Sequence, residues 1–140
     1  MLEAIFIFCI VWSIGCTTNL EGRGKFNIKL KEIMGKDNKW KFPSVGTCYD
    51  YKFDTGKKEW IYWTATINDF VIDNKAQYSE IIVPTFDSIR MKFVKRTLLS
   101  NKKHVLSPGP TGTGKTVNIS NLLNLEMGED FGNVPISFSA

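Results

Sequence analysis

The sequence predicts an α/β fold in which a helical segment and a β-hairpin precede a core built around a phosphate-binding loop. Three observations support this prediction. An apolar run of helical length opens the chain, aromatic and charged residues alternate with period two near residues 49–54, and a glycine-rich loop separates a short apolar segment from an amphipathic one. With 140 residues, 43% hydrophobic and 23% charged, the chain has the size of one domain at most and an ordinary globular composition.

The first element is an apolar helix over residues 2–16. Because it is apolar almost all round, we expect protein to cover it on every side, which points to a larger parent protein. A secreted or lipid-anchored protein remains an alternative, although Glu3 stands where a signal peptide carries positive charge. The two glycines of residues 19–25 predict a loop, followed by a short helix from Phe26 that ends near Gly35.

A β-hairpin is predicted over residues 47–63. Its first strand alternates aromatic and charged residues, and residues 60–63 form the return strand. Gly56 is expected to take the positive φ of the turn between them. An aromatic face of this kind either packs against a neighbouring domain, which is the commoner case, or binds a nucleobase or a sugar.

The segment after the hairpin region has the pattern of the predicted core. Pro84 closes an apolar stretch at residues 81–83, and Thr85 is a residue type that favours a helix N-cap. Apolar residues then recur every three or four positions, which predicts an amphipathic helix ending near Ser100. A short strand over residues 103–107 leads into the glycine-rich loop.

That loop matches the motif G-x-x-x-x-G-K-[ST]. Its residues are Gly109, Pro110, Thr111, Gly112, Thr113, Gly114, Lys115 and Thr116. Backbone N–H groups curled by glycines, together with a helix N-terminus, point at phosphate oxygens. Lys115 adds positive charge for the β- and γ-phosphates, and the Thr116 hydroxyl is predicted to bind Mg²⁺. The motif therefore predicts ATP and Mg²⁺ as cofactors.

A second helix is predicted from Lys115 to a stop at Gly128, followed by a strand over residues 134–138. No acidic strand-end residue or catalytic base for ATP hydrolysis is recognisable after Thr116. We therefore predict nucleotide binding, name no catalytic residue, and leave enzymatic activity of the chain itself open.

Charge and cysteine patterns argue against other kinds of site. The net charge is +4, but the lysines and arginines are dispersed, so no nucleic acid is expected as a partner. Three cysteines without a CxxC pair and a single histidine, His104, provide no metal-ligand cluster. No membrane partner is expected either.

Residues 78–90 followed by the loop at 109–116 resemble the start of the third of six AAA+ modules in dynein heavy chains, closer to the axonemal type. Residues 6–15 resemble the helical lid that closes the second module. The hairpin with residues 70–72 resembles the connecting extension, and residues 135–140 resemble the strand after the first core helix.

The resemblance implies three segments: residues 1–34 as the end of a lid, residues 35–75 as a β-hairpin extension, and residues 76–140 as the N-terminal half of an AAA+ P-loop module. It implies that Val83, Pro84 and Thr85 line an adenine pocket. It also implies a microtubule motor ATPase of the cytoplasm, cytoskeleton and ciliary axoneme, in which this module is a regulatory nucleotide site. The implied partners are the rest of the dynein ring, microtubules, and dynein intermediate and light chains.

One residue departs from the family pattern. Pro108 stands just before the loop, where a small or β-branched apolar residue is usual, and proline fixes φ and donates no N–H. This departure motivates the alternative of a non-catalytic binding or scaffold protein with a degenerate P-loop.

Overall fold

The structure is a computed structural model that describes residues 1–67, 83–127 and 131–138. It divides into two compact units, Met1–Val71 and Ile72–Ala140, which are described separately. The predictions for residues 70–72 and 78–82, for the helix stop at Gly128 and for residues 139–140 lie outside the described residues.

The first unit begins with helix α1, Leu2–Ser13, which starts where predicted. It ends three residues before the predicted end at residue 16, because Gly15–Thr17 form a 3₁₀ turn. Its buried residues Ala4, Ile7 and Val11 share one face, whereas the side chain of Phe6 is 65% exposed. The expected cover on every side is therefore absent from the described part of the chain. None of the described helices combines the length and apolarity that a membrane crossing requires.

Helix α2, Leu20–Met34, replaces the loop predicted over residues 19–25, so that prediction was wrong. Asn19 caps the helix, because its side-chain oxygen accepts a hydrogen bond of 2.8 Å from the Gly22 amide. This cap offsets part of the cost of two glycines in the first turns, and an ion pair of 2.6 Å between Glu21 and Lys25 supports the same turns. The predicted end at Gly35, which has φ of 72°, is confirmed.

The predicted hairpin is present as strands β1, Tyr51–Asp54, and β2, Glu59–Tyr62, which pair antiparallel. The return strand thus ends one residue earlier than predicted, because Trp63 begins a short 3₁₀ turn. The first strand begins later than the predicted start at residue 47, because Cys48–Asp50 form another 3₁₀ turn.

The hairpin turn does not use Gly56 as predicted. Asp54 organises it, since one carboxylate oxygen accepts hydrogen bonds from the amides of Gly56 at 2.8 Å and Lys57 at 3.0 Å. The positive φ, 57°, falls on Lys58 instead.

Aromatic side chains join the hairpin to α1 in the core of the first unit. Trp63 is 1% exposed, and its ring nitrogen donates a hydrogen bond of 3.0 Å to the Tyr49 carbonyl oxygen. The Tyr49 hydroxyl donates to the Gly15 carbonyl oxygen at 2.7 Å, and Trp12 meets Trp63 edge to face with ring centres 5.8 Å apart. These aromatic residues of the predicted hairpin thus pack within their own unit.

In the second unit, helix α3 spans Phe86–Ser100 and confirms both predicted ends. The Thr85 hydroxyl caps it by accepting a hydrogen bond of 3.2 Å from the Ser88 amide. Helix α4, Lys115–Asn121, begins where predicted and continues into a π-helical turn, Leu122–Glu126. Lys92 of α3 forms an ion pair of 2.5 Å with Glu126 of that turn.

The two strands predicted at residues 103–107 and 134–138 do not form. Both segments are unpaired, and the sheet of the described residues contains only β1 and β2. A strand requires hydrogen bonds from a neighbour, so an apolar segment without one stays irregular. Leu106 and Phe138 are accordingly 88% and 94% exposed.

Candidate nucleotide site

The loop backbone depends on glycines at three positive-φ positions. The φ values are 157° at Gly109, 79° at Gly112 and 71° at Gly114. Gly114 is left-handed and forms the N-cap of α4. A Cβ atom at Gly112 would meet nothing within 4 Å, so glycine is needed there for backbone conformation rather than for space. An L-residue in this region costs about 1–2 kcal/mol.

Lys115 folds back into the loop. Its Nζ donates hydrogen bonds to the Gly109 carbonyl oxygen at 2.8 Å, to Thr113 Oγ1 at 3.1 Å, and to the Pro110 carbonyl oxygen. The positive charge is therefore held by neutral oxygens inside the loop. A phosphate would exchange these acceptors for charged ones, which make hydrogen bonds roughly twice as strong.

Two further side chains brace the loop. Thr113 Oγ1 donates to the Pro110 carbonyl oxygen at 3.0 Å, and Asn118 Nδ2 donates to the Gly114 carbonyl oxygen at 2.9 Å. The sequence interpretation did not identify Asn118. Its position four residues after Gly114, one turn into the predicted helix, was the available signal.

The predicted Mg²⁺ ligand, Thr116, is exposed at the second position of α4. Among the described residues no group of three potential ligand side chains is present. Thr116 can supply the hydroxyl that a P-loop contributes to Mg²⁺, while the acidic strand-end residue that completes such a site is not among the described residues.

A groove of about 530 Å³ runs along α3 to the loop. Thr85, at the cap of α3, lies at this groove together with Thr113 and Lys115, whereas Val83 and Pro84 do not line it. Thus one of the three residues implied for the adenine pocket lies on the same groove as part of the phosphate-binding loop.

Three lysines line the groove. Lys92 and Lys95 lie beside Lys115 and Asp87, and Lys92 is paired with Glu126 at 2.5 Å. Burial lowers the pKa of Lys95, so its charge is partly desolvated. Sequence reasoning also missed these two lysines. They follow Ser88 on α3 at positions i+4 and i+7, and this spacing on one helix face was the available signal.

Two family models match this chain. The dynein heavy chain AAA lid domain matches residues 1–65, and the P-loop containing dynein motor region matches residues 70–140. Together they cover both of the compact units and include the glycine-rich loop.

Several curated proteins are similar over most of the chain. Dynein axonemal heavy chain 1 from Homo sapiens is 34% identical over 100% of this chain and 4% of its own length. Dynein axonemal heavy chain 12 from Rattus norvegicus is 35% identical over 92% of this chain and 5% of its own length. The Dynein-1-beta heavy chain of the flagellar inner arm I1 complex from Chlamydomonas reinhardtii is 32% identical over 100% of this chain and 3% of its own length.

The chain therefore spans 3–5% of the length of these relatives. The family models and the identities confirm the resemblance found in the sequence, including its axonemal character. This chain belongs to the dynein heavy chain family.

Proposed function

We propose that residues 76–140 form the N-terminal half of an AAA+ module that binds ATP with Mg²⁺ in a dynein heavy chain. The observation that carries this proposal is the loop itself, whose glycines adopt positive φ and whose Lys115 ammonium sits among exchangeable neutral acceptors. The family match supports it, since the matched motor region is described as P-loop containing.

Each loop residue has a defined part in this proposal. The amides of residues 109–116 hold the β- and γ-phosphates, while Lys115 turns from the Gly109 carbonyl oxygen to phosphate oxygens. The Thr116 hydroxyl binds Mg²⁺, which when bound neutralises charge on the phosphates. Asn118 and Thr113 keep the loop curled while Lys115 moves.

The base-binding part of the proposal rests on the resemblance and on the position of Thr85. Val83, Pro84 and Thr85 contact the adenine, and the groove along α3 connects Thr85 to Lys115. Lys95 on the groove wall adds positive charge that complements an anionic ligand, whereas Lys92 is paired with Glu126.

In the whole protein we propose a regulatory nucleotide site within a microtubule motor ATPase of the ciliary axoneme and cytoskeleton. The partners are then the rest of the ring, microtubules, and intermediate and light chains. ATP hydrolysis is proposed for the whole heavy chain, and nucleotide binding for residues 76–140. The family match does not favour the alternative of a scaffold with a degenerate loop.

Calorimetry with Mg-ATP tests the site. Lys115→Ala removes charge-assisted hydrogen bonds worth about 1.5–3 kcal/mol, so we expect affinity to fall by about 10- to 150-fold. Lys103→Ala, which changes an exposed lysine of the preceding segment, is the matched control and should leave affinity unchanged.

The metal role is tested separately by Thr116→Ala. We expect this variant to bind ATP in EDTA as the unmodified chain does, but to lose the gain in affinity that Mg²⁺ gives. Equal affinity of the unmodified chain, Lys115→Ala and Lys103→Ala would contradict the proposed phosphate site. The same measurements on the full-length heavy chain test the site in its complete module.

A further inference from the structure

The first unit carries an aromatic groove outside the nucleotide site. It has a volume of about 500 Å³ and lies between residues 39–44 and residues 58–60. Phe42 and Trp60 form its apolar part, with ring centres 4.2 Å apart. The Trp60 ring nitrogen donates to the Trp40 carbonyl oxygen at 2.8 Å, which fixes the indole at the groove.

A second groove, of about 800 Å³, lies beside the same segment and is lined by residues of α2. The two grooves share Lys41, Phe42 and Ser44. Ile28 in the second groove is 60% exposed, so apolar surface is accessible here as well. We call the two grooves together the lysine-aromatic surface.

The charge of this surface is strongly one-sided. Two glutamates, Glu32 and Glu59, line it, and Glu32 is already paired with Lys29 at 3.1 Å. Five lysines line it: Lys31, Lys36, Lys39, Lys41 and Lys58.

The lysine charges are not neutralised by neighbouring carboxylates. Lys31 Nζ donates to the Gly46 carbonyl oxygen and Lys41 Nζ to the Lys36 carbonyl oxygen, each at 3.0 Å, and carbonyl acceptors carry no formal charge. Lys39 Nζ lies 5.1 Å from the centre of the Trp40 ring. Within the described residues, none of the five lysines has an acidic group at ion-pair distance.

Lys58 occupies its place at a conformational cost. Its φ of 57° lies in the left-handed region, which glycine tolerates and lysine does not favour. The hairpin thus presents a cation at the groove from a position where glycine would fold more easily.

We propose that the lysine-aromatic surface binds an acidic segment of another protein that carries apolar side chains between its carboxylates. The carboxylates pair with the lysines that line the two grooves, and the apolar side chains enter these grooves beside Phe42. Charge complementarity favours this partner, because five lysines line two grooves that also expose apolar side chains such as Ile28. This inference concerns the first unit and is independent of the nucleotide site.

Fluorescence anisotropy tests the proposal with a short labelled synthetic peptide that alternates glutamate and leucine, titrated with the full chain. The control peptide has glutamine for glutamate and should not bind. Lys39→Glu and Lys58→Gly should each weaken binding by about two- to fivefold, as expected for exposed charge pairs. Lys103→Glu, which changes an exposed lysine of the second unit outside both grooves, is the matched control and should have no effect.

Lys58→Gly also separates binding from folding, because glycine relieves the left-handed strain and should not lower the melting temperature. Absence of peptide binding, or equal weakening by Lys103→Glu, would overturn the proposal. Equally tight binding of a single-stranded oligonucleotide or of anionic vesicles, with the same loss in Lys39→Glu, would also overturn it by showing a general polyanion surface.

Discussion

Replacement of Gly15 by alanine tests the contact that joins the hairpin to α1. A Cβ atom there would lie 2.6 Å from a ring carbon of Phe26 and 2.8 Å from the Tyr49 hydroxyl oxygen. Tyr49 is 6% exposed, and its ring lies against Trp12 and Phe26 with ring centres 6.4 Å and 6.2 Å away. The tyrosine is thus confined on both sides and has little room to retreat.

The magnitude follows from two costs. Overpacking of a filled core costs about 1–3 kcal/mol. Displacement of the Tyr49 ring also breaks the hydrogen bond of 2.7 Å to the Gly15 carbonyl oxygen, a loss of about 1 kcal/mol. We therefore expect Gly15→Ala to lower the unfolding free energy of the first unit by about 2–4 kcal/mol.

Urea unfolding followed by tryptophan fluorescence measures this unit selectively, because all four tryptophans lie in its sequence. Gly24→Ala is the matched control. A Cβ atom at Gly24 meets nothing within 4 Å, and alanine in a helix should raise stability by about 0.5–1 kcal/mol. A Gly15→Ala change smaller than about 0.5 kcal/mol would show that Tyr49 and Phe26 yield freely and would refute the reasoning.

Two further predictions concern titration and capping. Burial raises the pKa of the Cys48 thiol from its ordinary 9.0 to about 12. Below pH 9 the thiol keeps its proton in both the folded and the unfolded chain, so the stability it contributes is complete. Above pH 9 only the unfolded chain loses the thiol proton, so the unfolding free energy should fall by up to about 1.4 kcal/mol per pH unit. Urea midpoints between pH 9 and 10 should show this fall in the unmodified chain, whereas an equally steep fall in Cys48→Ala would exclude the thiol as its cause. Thr85→Ala removes the cap of α3 and should speed hydrogen exchange of the Ser88 amide about fivefold, for a loss of about 1 kcal/mol. Thr97→Ala, within the same helix, should not speed this exchange. Equal effects of the two variants would contradict the capping role.

Local signals predicted helix ends well. Thr85 caps α3 and Gly114 caps α4, because a cap depends on residues within about one turn of it. The two glycines of residues 19–25 indicate a loop, but Asn19, whose side chain caps α2, and the ion pair of 2.6 Å between Glu21 and Lys25 favour the observed helix. These signals are local too, but the cost of the glycines and the stabilisation by the cap and the ion pair are of similar size.

Non-local pairing limited the prediction of strands. The hairpin strands β1 and β2 are close in sequence, so alternation and a turn sufficed to find them. Residues 103–107 and 134–138 have apolar strand-like sequences, but alternation cannot supply a neighbour. Even within the hairpin, the positive φ fell on Lys58 rather than Gly56 because the Asp54 carboxylate binds the amides of Gly56 and Lys57 and thereby fixes the turn.

The candidate site likewise has one part that the sequence predicts and one part that it does not. The motif predicts which groups meet a phosphate, and the glycine φ values agree with that part. The resting position of Lys115 depends on the distances from its ammonium to Gly109 and Thr113, which no spacing rule contains. Because these neutral acceptors already satisfy the ammonium, a phosphate gains only the difference between charged and neutral hydrogen bonds. We therefore expect the loop to prefer a multiply charged ligand over a singly charged one, since each added charge enlarges that difference.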